Sequence, residues 1–427
     1  MRKELFNGLN WLFQQYQYET EVCVVKLFFQ FGYGMKNLTV DLAKRWDGAT
    51  VILSPRDMAP NQLVRWTNEF EKANVNCYFD PQCYCPKSEL KRLTQYSYWD
   101  CNLNTNMQAG TTYVEQKIDN IKYYNTIAKT EAYILPCILN KYDDTWENTF
   151  LLQQKRFIEA AHRIMTDKPI FATLALPSGL LVQNEKIIEP FLNEIMELNV
   201  DGFYIVAEAL DKKYLIDSPM WLSNVLHLCA TLKIEGKKVI YGYGNHQMLP
   251  LALSRVDAIA SGTWLNVRSF TNRFVDTDEQ KRKSTWVYYP ESLSEYKMSF
   301  LDWAYNTGYL STMKSGDKSF MDENYNKLFQ SSVAPSATGF NETDAFKHYL
   351  CSLRHQIELL DKATYNEAFD SYSIILTTAE REIERLEKNA IFAQARSFKN
   401  FIDVTRAAIT QLDRSHGFAL KMSWNQL

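Results

Sequence analysis

No apolar run in this chain reaches the roughly 18 residues that crossing a bilayer requires. The opening MRKELF continues as NGLNWLFQQYQ, too polar and too poor in small residues for a secretory signal. A soluble, cytoplasmic protein with no membrane partner is expected. Net charge is also scarce: 47 Lys and Arg against 50 Asp and Glu leave −3. No bulk field therefore draws the chain onto nucleic acid, and any such contact must be local. One basic run, Lys281-Arg282-Lys283, reads as a solvated loop. Cysteines number eight in 427 residues and read as free thiols in a reducing compartment. Cys77, Cys83, Cys85 and Cys101 lie close together but lack the paired CxxC knuckles of structural zinc sites. No metal and no cofactor is expected.

What is present is a rhythm. Short β-branched or aromatic runs recur, each closed by Gly, Pro, Ser or Asp: Val22 to Gln30, Ala49 to Ser54, Val75 to Asp80 and Ala132 to Leu139. Four more follow at Pro169 to Leu176, Asp201 to Ala207, Lys238 to Gly242 and Val256 to Ser261. Near-continuous apolar runs suit parallel strands buried on both faces. Most gaps hold one helical pattern, as in Phe150 to Met165 and Ile187 to Leu198. Eight such alternations predict an α/β fold, a (β/α)8 TIM barrel. An open doubly wound sheet is the alternative, but no GxGxxG follows its first strand.

The predicted divisions are an N-terminal segment (1–20), the barrel (21–312), a linker (313–343) and a C-terminal helical module (344–427). Ser292-x-x-Glu295 reads as a capping box opening an eighth helix, Leu293 to Tyr305. Beyond the linker, Phe346, Tyr349, Leu353, Ile357 and Leu360 follow helical spacing, and two helices follow at about Tyr365 to Lys388 and Ala393 to Leu412.

Barrel enzymes build their sites at the C-terminal ends of the strands. Here those ends carry Arg56 and Asp57, then Asp80 and Gln82, then Asn140, Ser178, Glu208, Gly242, Gly244 and Asn245. Glycine lets a flat ligand approach the backbone, carboxylates accept from paired ring donors, and Tyr or Trp can stack on a heterocycle. No strand end reads as a phosphate-gripping loop, so a nucleobase fits better than a sugar phosphate. Asp80 and Asp57 are the candidate catalytic carboxylates, and the others are candidate substrate contacts. His246 reads as a loop histidine. Asp257 starts its strand and should serve structure at the barrel's bottom.

The stretch YGYGNHQMLPLALSRVDAIASG, 241–262, resembles the seventh and eighth strands of the tRNA-guanine transglycosylases: a glycine pair, a short helix and an Asp-led strand. DPQCY resembles that family's DSGGFQ segment with Asp80 at its Asp, FYIVAEA resembles GGLAVGE with Glu208 at its Glu, and PSG stands at its QGG turn. The likeness spans about residues 50 to 270. It is nearer to the transglycosylase-like proteins of DNA-modification and anti-phage defence islands than to the tRNA enzymes. It implies base exchange on a guanine or 7-deazaguanine and a nucleoside-containing acceptor. Asp80 would be nucleophile or general base, and the Gly242 and Gly244 amides would hold the base. It further implies a nucleobase or nucleotide ligand, a DNA, RNA or operon-encoded protein partner, and a homodimer. The chain departs from the family in three ways. Ala260 stands at the nucleophile's position, Asn140 stands nearest the base-reading Asp, and the CxCxxC zinc knuckle is missing. These departures leave two rivals: a nucleobase- or protein-binding module on the same barrel, and a glycoside hydrolase-type enzyme.

Overall fold

A computed structural model describes residues 25–88, 90–106, 110–272, 284–313 and 327–427. The segment 1–20, residues 22–24 of the first predicted strand, the basic run at 281–283 and residues 314–326 of the linker lie outside the described residues.

Eight parallel strands form one sheet: β1 (Lys26–Gln30), β2 (Ala49–Leu53), β3 (Val75–Phe79), β4 (Tyr133–Ile134), β5 (Ile170–Leu176), β6 (Gly202–Ala207), β7 (Lys238–Tyr241) and β8 (Ala258–Ser261). Their order is β3-β2-β1-β8-β7-β6-β5-β4, so the first and last strands of the repeat lie side by side. In register, Phe28 pairs with Ala260 and Phe29 with Ser261. At the remaining seam the Glu131 N–H donates to the Cys77 carbonyl at 3.0 Å, and past the strand ends the Leu139 N–H donates to the Tyr84 carbonyl at 2.9 Å. The protein is a nearly closed TIM-type barrel. Every residue of β5 and β6 is buried, as helices on one face and side chains on the other require. β4 is only two residues long, where the apolar run 132–139 predicts eight. Pro136 interrupts that run and has no N–H to give to a ladder.

Helices fill the early gaps as the pattern predicts: α1 (Met35–Trp46), α2 (Pro60–Lys72), α3 (Thr111–Ala128), α4 (Trp146–Ile164), α5 (Glu185–Met196) and α6 (Pro219–Ile234). After β7 the pattern breaks. Residues His246–Ala252 form only a 3₁₀ turn, which contains Pro250. Among the described residues, β8 is followed by an antiparallel hairpin, β9 (Trp286–Tyr289) and β10 (Ser294–Lys297), and then by α7 (Met298–Asn306). The expected capping box at Ser292 and Glu295 is therefore corrected. Glu295 lies in β10 opposite Tyr288, because a spacing of three residues is a local signal that strand pairing overrides.

Among the described residues the outer ring thus has no α-helix directly after β7 or β8, and the C-terminal helices cover these positions. α8 (Glu342–Leu359) packs on β1, α1 and the 3₁₀ turn. α9 (Tyr365–Glu387) and α10 (Ile402–Ser423) follow, and α10 lies along α6. Tyr349, Leu353, Ile357, Leu412, Leu420 and Trp424 share one apolar core with the strands. Lys347 pairs with Asp41 of α1 at 3.0 Å, and buried Arg255 reaches Asp361 at 3.2 Å and stacks on Trp424 at 4.5 Å. The helices after 344 are part of the barrel's wall. None of the described helices is long and apolar enough to cross a membrane.

Candidate functional site

Side chains alternate along a strand, so Asp80 points the same way as Tyr78, two residues before it. Tyr78 lies inside the barrel, its ring 5.6 Å from Phe28 and 6.2 Å from Phe171. Asp80 therefore sits one layer above this aromatic floor, only 1 % exposed. Its Oδ1 accepts the Gln82 N–H at 2.9 Å. Its Oδ2 faces the hydroxyls of Tyr84 at 2.9 Å, Tyr243 at 3.2 Å and Tyr204 at 3.4 Å. Tyr204 has one hydroxyl proton and a nearer acceptor, Gln30 Oε1 at 3.0 Å. When Asp80 is protonated it can donate to the Tyr204 oxygen, so the carboxyl itself has partners in both charge states.

Burial is the dominant influence on this carboxyl. It raises the pKa to about 6, against the lowering effect of the Gln82 N–H and the tyrosine hydroxyls. Gln82 ties the centre to the edge. Its Nε2 donates to Ser54 Oγ at 2.8 Å and Tyr243 Oη at 2.9 Å, and its Oε1 accepts the Arg56 N–H at 2.8 Å. Gln30 Nε2 is buried without a hydrogen-bond partner among the described residues. Tyr84, Tyr204, Tyr243 and Gln30 were not singled out in the sequence: Tyr204 and Gln30 lie in apolar runs that read as core, and Tyr84 and Tyr243 stand at strand ends with no local mark of their convergence on Asp80.

Phe270 lies over this cluster, its ring 4.9 Å from Tyr84 and 5.1 Å from Tyr243. Its carbonyl accepts the Ala209 N–H at 2.8 Å. Arg56, Asp57, Gln82, Tyr243, Asn266 and Thr271 surround the small cleft that remains, about 10 Å³, room for about one water. Arg56 and Asp57 thus come together with Gln82 at the cleft, and Ser54 Oγ lies 3.4 Å from Asp57 Oδ2.

The other expected residues are engaged elsewhere. Glu208 Oε2 accepts the N–H and the Oγ of Ser178, both at 3.0 Å, so this pair fixes the turn after β5. Asn245 caps the 3₁₀ turn: Oδ1 accepts the Gln247 N–H at 2.8 Å and Nδ2 donates to the Tyr214 carbonyl at 2.8 Å. The expected amide role of the two glycines is corrected, since both N–H groups already belong to the sheet. Gly242 donates to the Ile205 carbonyl at 2.8 Å and Gly244 to the Ala260 carbonyl at 2.7 Å. Gly242 is glycine for a steric reason. A Cβ there would stand 2.5 Å from the Tyr204 oxygen and 2.7 Å from its ring. Gly242→Ala should therefore cost about 1–3 kcal/mol, the usual toll of overpacking. Urea unfolding measures it, and an unchanged midpoint would mean that Tyr204 has room to retreat. Asn140 keeps a buried Nδ2 without a partner among the described residues.

Asp257 is structural, as expected. Its Oδ2 takes Lys233 Nζ at 2.9 Å and the Val239 N–H at 2.6 Å. His246 is a core residue and not a loop one. It is fully buried among Tyr214, Tyr288, Tyr349 and Phe398, and burial lowers its pKa to about 4. Cys77 and Cys83 are buried, and among the described residues no three His, Cys, Asp or Glu side chains group to hold a metal.

The sequence reading also missed a charged cluster beyond β8. Glu295 Oε2 takes Arg396 Nη1 at 2.7 Å and Arg268 Nη1 at 3.3 Å, with Glu295 and Arg268 both 3 % exposed. The two guanidiniums hold this carboxyl below its ordinary pKa, although burial is the largest single influence and acts the other way.

No family model matches the chain. Among solved structures, it is similar to the GH113 β-mannanase of Alicyclobacillus acidocaldarius at 10% identity and TM-score 0.26, over 52% of this chain and 69% of that one. It is similar to the β-glycosidase BGL167 at 9% identity and TM-score 0.29, over 54% and 76% of the two chains. The carboxyl transferase domain of Rhizobium etli pyruvate carboxylase, solved with pyruvate and biocytin, aligns over 94% of this chain and 79% of that one, at 9% identity and TM-score 0.36. At identities and scores this low, no activity passes from those proteins to this chain.

Proposed function

We propose that this protein is a transglycosylase-like barrel acting on a guanine or 7-deazaguanine base, with Asp80 as the carboxylate that receives the base and moves its proton. The observation that supports this most is the state of Asp80. A carboxyl at the mouth of the barrel, held by hydroxyl and peptide donors and raised to about 6, titrates close to neutrality. That is where a general acid–base works best. Its burial favours proton transfer over direct attack on a sugar carbon, which could not approach an atom so enclosed. A base reaches Asp80 only if Phe270 swings off Tyr84 and Tyr243. Arg56 and Asp57 then stand at the edge where an acceptor would arrive.

A second reading has its own support. Ala260 is fully buried in β8 and offers no nucleophile, and the Gly242 and Gly244 amides are already engaged. On that reading the barrel binds the base without exchanging it. A glycoside hydrolase needs two carboxyls facing one substrate. Here Asp80 turns to the tyrosines and Glu208 to Ser178, which weakens that reading.

One experiment separates these outcomes. The protein is incubated with labelled guanine and nucleic acid, and binding and incorporation are followed together. Incorporation supports the exchange reading, and binding without incorporation supports the binding module. Neither binding nor incorporation would sink both.

A further inference from the structure

A cavity of about 600 Å³ opens between the segment after β8, the β9–β10 hairpin and α8. That is within the usual range for a ligand site. Its walls are aromatic: Trp264, Trp286, Phe346 and Tyr349 line it. Trp264 and Phe346 meet edge to face at 4.9 Å. Arg396 lies 4.2 Å from the centroid of the Trp286 ring, so its cation buttresses that ring. Thr263 Oγ1, also in the lining, is buried without a hydrogen-bond partner among the described residues.

The charges that line the cavity decide what it can take. Arg268 and Arg396 are set against Glu295 and Glu342, so the formal charges cancel. A balanced, ring-walled cavity has no surplus cation for a phosphate. It suits an uncharged planar ring with polar edges, which stacking holds irrespective of sequence. The cavity also adjoins the mouth. Asn266 lines both this cavity and the cleft beside Gln82 and Tyr243. Within the same short segment Arg268 turns to the cavity and Phe270 to the tyrosines around Asp80.

We propose that this cavity seats a base of single-stranded nucleic acid, the neighbour of the base handled at Asp80. The inference rests on the nucleobase reading of the mouth, and it adds the acceptor's class and the place of its flanking base. An acceptor held there would have its adjoining nucleotide presented at Asn266, beside the Asp80 cleft.

The test uses the full chain and two probes: a short unstructured oligonucleotide, as DNA and as RNA, and free guanine. Binding is followed by fluorescence anisotropy for the first and calorimetry for the second. Trp286→Leu and Phe346→Leu are compared with the parent, after unfolding curves confirm that each is folded. Each variant should weaken oligonucleotide binding about tenfold or more, the scale of one lost stacking platform. Binding of either strand type meets the expectation. Guanine affinity should not move. The slope of log K against log salt should also hold, because no phosphate contact is lost. Oligonucleotide affinity unchanged in both variants would overturn the proposal. So would a loss accompanied by a shallower salt slope, which marks a phosphate site. If guanine fails to bind while the oligonucleotide responds to both substitutions, the subsite stands and the Asp80 reading falls. If guanine binds and the oligonucleotide does not, the reverse holds.

Discussion

Asp80→Asn should lower base exchange by a hundredfold or more, the scale on which removing an acid–base group acts. Asparagine keeps the shape but cannot take or give the proton, and it turns an N–H₂ toward hydroxyls that now donate to a carboxylate. The substitution carries a second signature that is independent of substrate. The folded-state pKa of about 6 lies above the ordinary 3.8, so the ionised carboxylate is the form that folding disfavours. Its protonated form is therefore stabilising below about pH 4, and that contribution is lost as pH rises through about 6. The full difference is roughly 3 kcal/mol at 1.36 kcal/mol per pKa unit. Asp80→Asn should remove this dependence, so the parent-minus-variant difference in unfolding free energy should change between pH 4 and 7 and then level off. Urea unfolding at three pH values measures it. Exchange that survives the substitution would make Asp80 a structural carboxyl and move the search to Asp57. A flat parent-minus-variant difference would show that Asp80 titrates normally.

Glu295→Gln should be the most damaging single change to stability among those considered, at about 3–5 kcal/mol. The carboxylate is the shared partner of Arg268 and Arg396, and Arg268 is 3 % exposed. A neutral amide would leave a buried guanidinium without its counter-charge. Arg268 cannot escape by losing its proton, and its ring contact with Tyr349 at 3.4 Å does not replace an anion. Arg396→Gln should cost less, since it leaves one cation against one anion and Arg396 has 18 % of its side chain in solvent. Chemical unfolding of the two variants side by side checks the order. Equal small losses would mean that water or a neighbouring group already shares the load of Glu295.

The strands were legible because burial on both faces leaves a plain mark, a short apolar run with a breaker behind it. Asp80 was legible for the same reason, as a carboxyl closing the run VNCYF. The company it keeps was not. Tyr204 and Tyr243 are separated from Asp80 by 124 and 163 residues, and only the closing of the barrel brings their hydroxyls to one oxygen. Gly242 was read as a donor toward a ligand, whereas its role is the space it leaves for Tyr204. Glu295 carried a helix signal because three-residue spacing is visible in one dimension, while the pairing of Ser294 with Tyr289 is not. Glu208 and Ser178 were correctly placed at strand ends but face each other.

The late helices also govern how the chain can be made. β8 lies against β1, and α8 and α10 supply cover for the last strands alongside the described segments after β7 and β8. All eight strands have therefore been synthesised before their last apolar flank can be shielded. At ordinary translation rates the remaining stretch takes on the order of ten seconds to emerge. During that interval the newborn sheet presents apolar surface to whatever holds nascent chains, and the emergence of α8 and α10, more than strand pairing, sets when the native state becomes available.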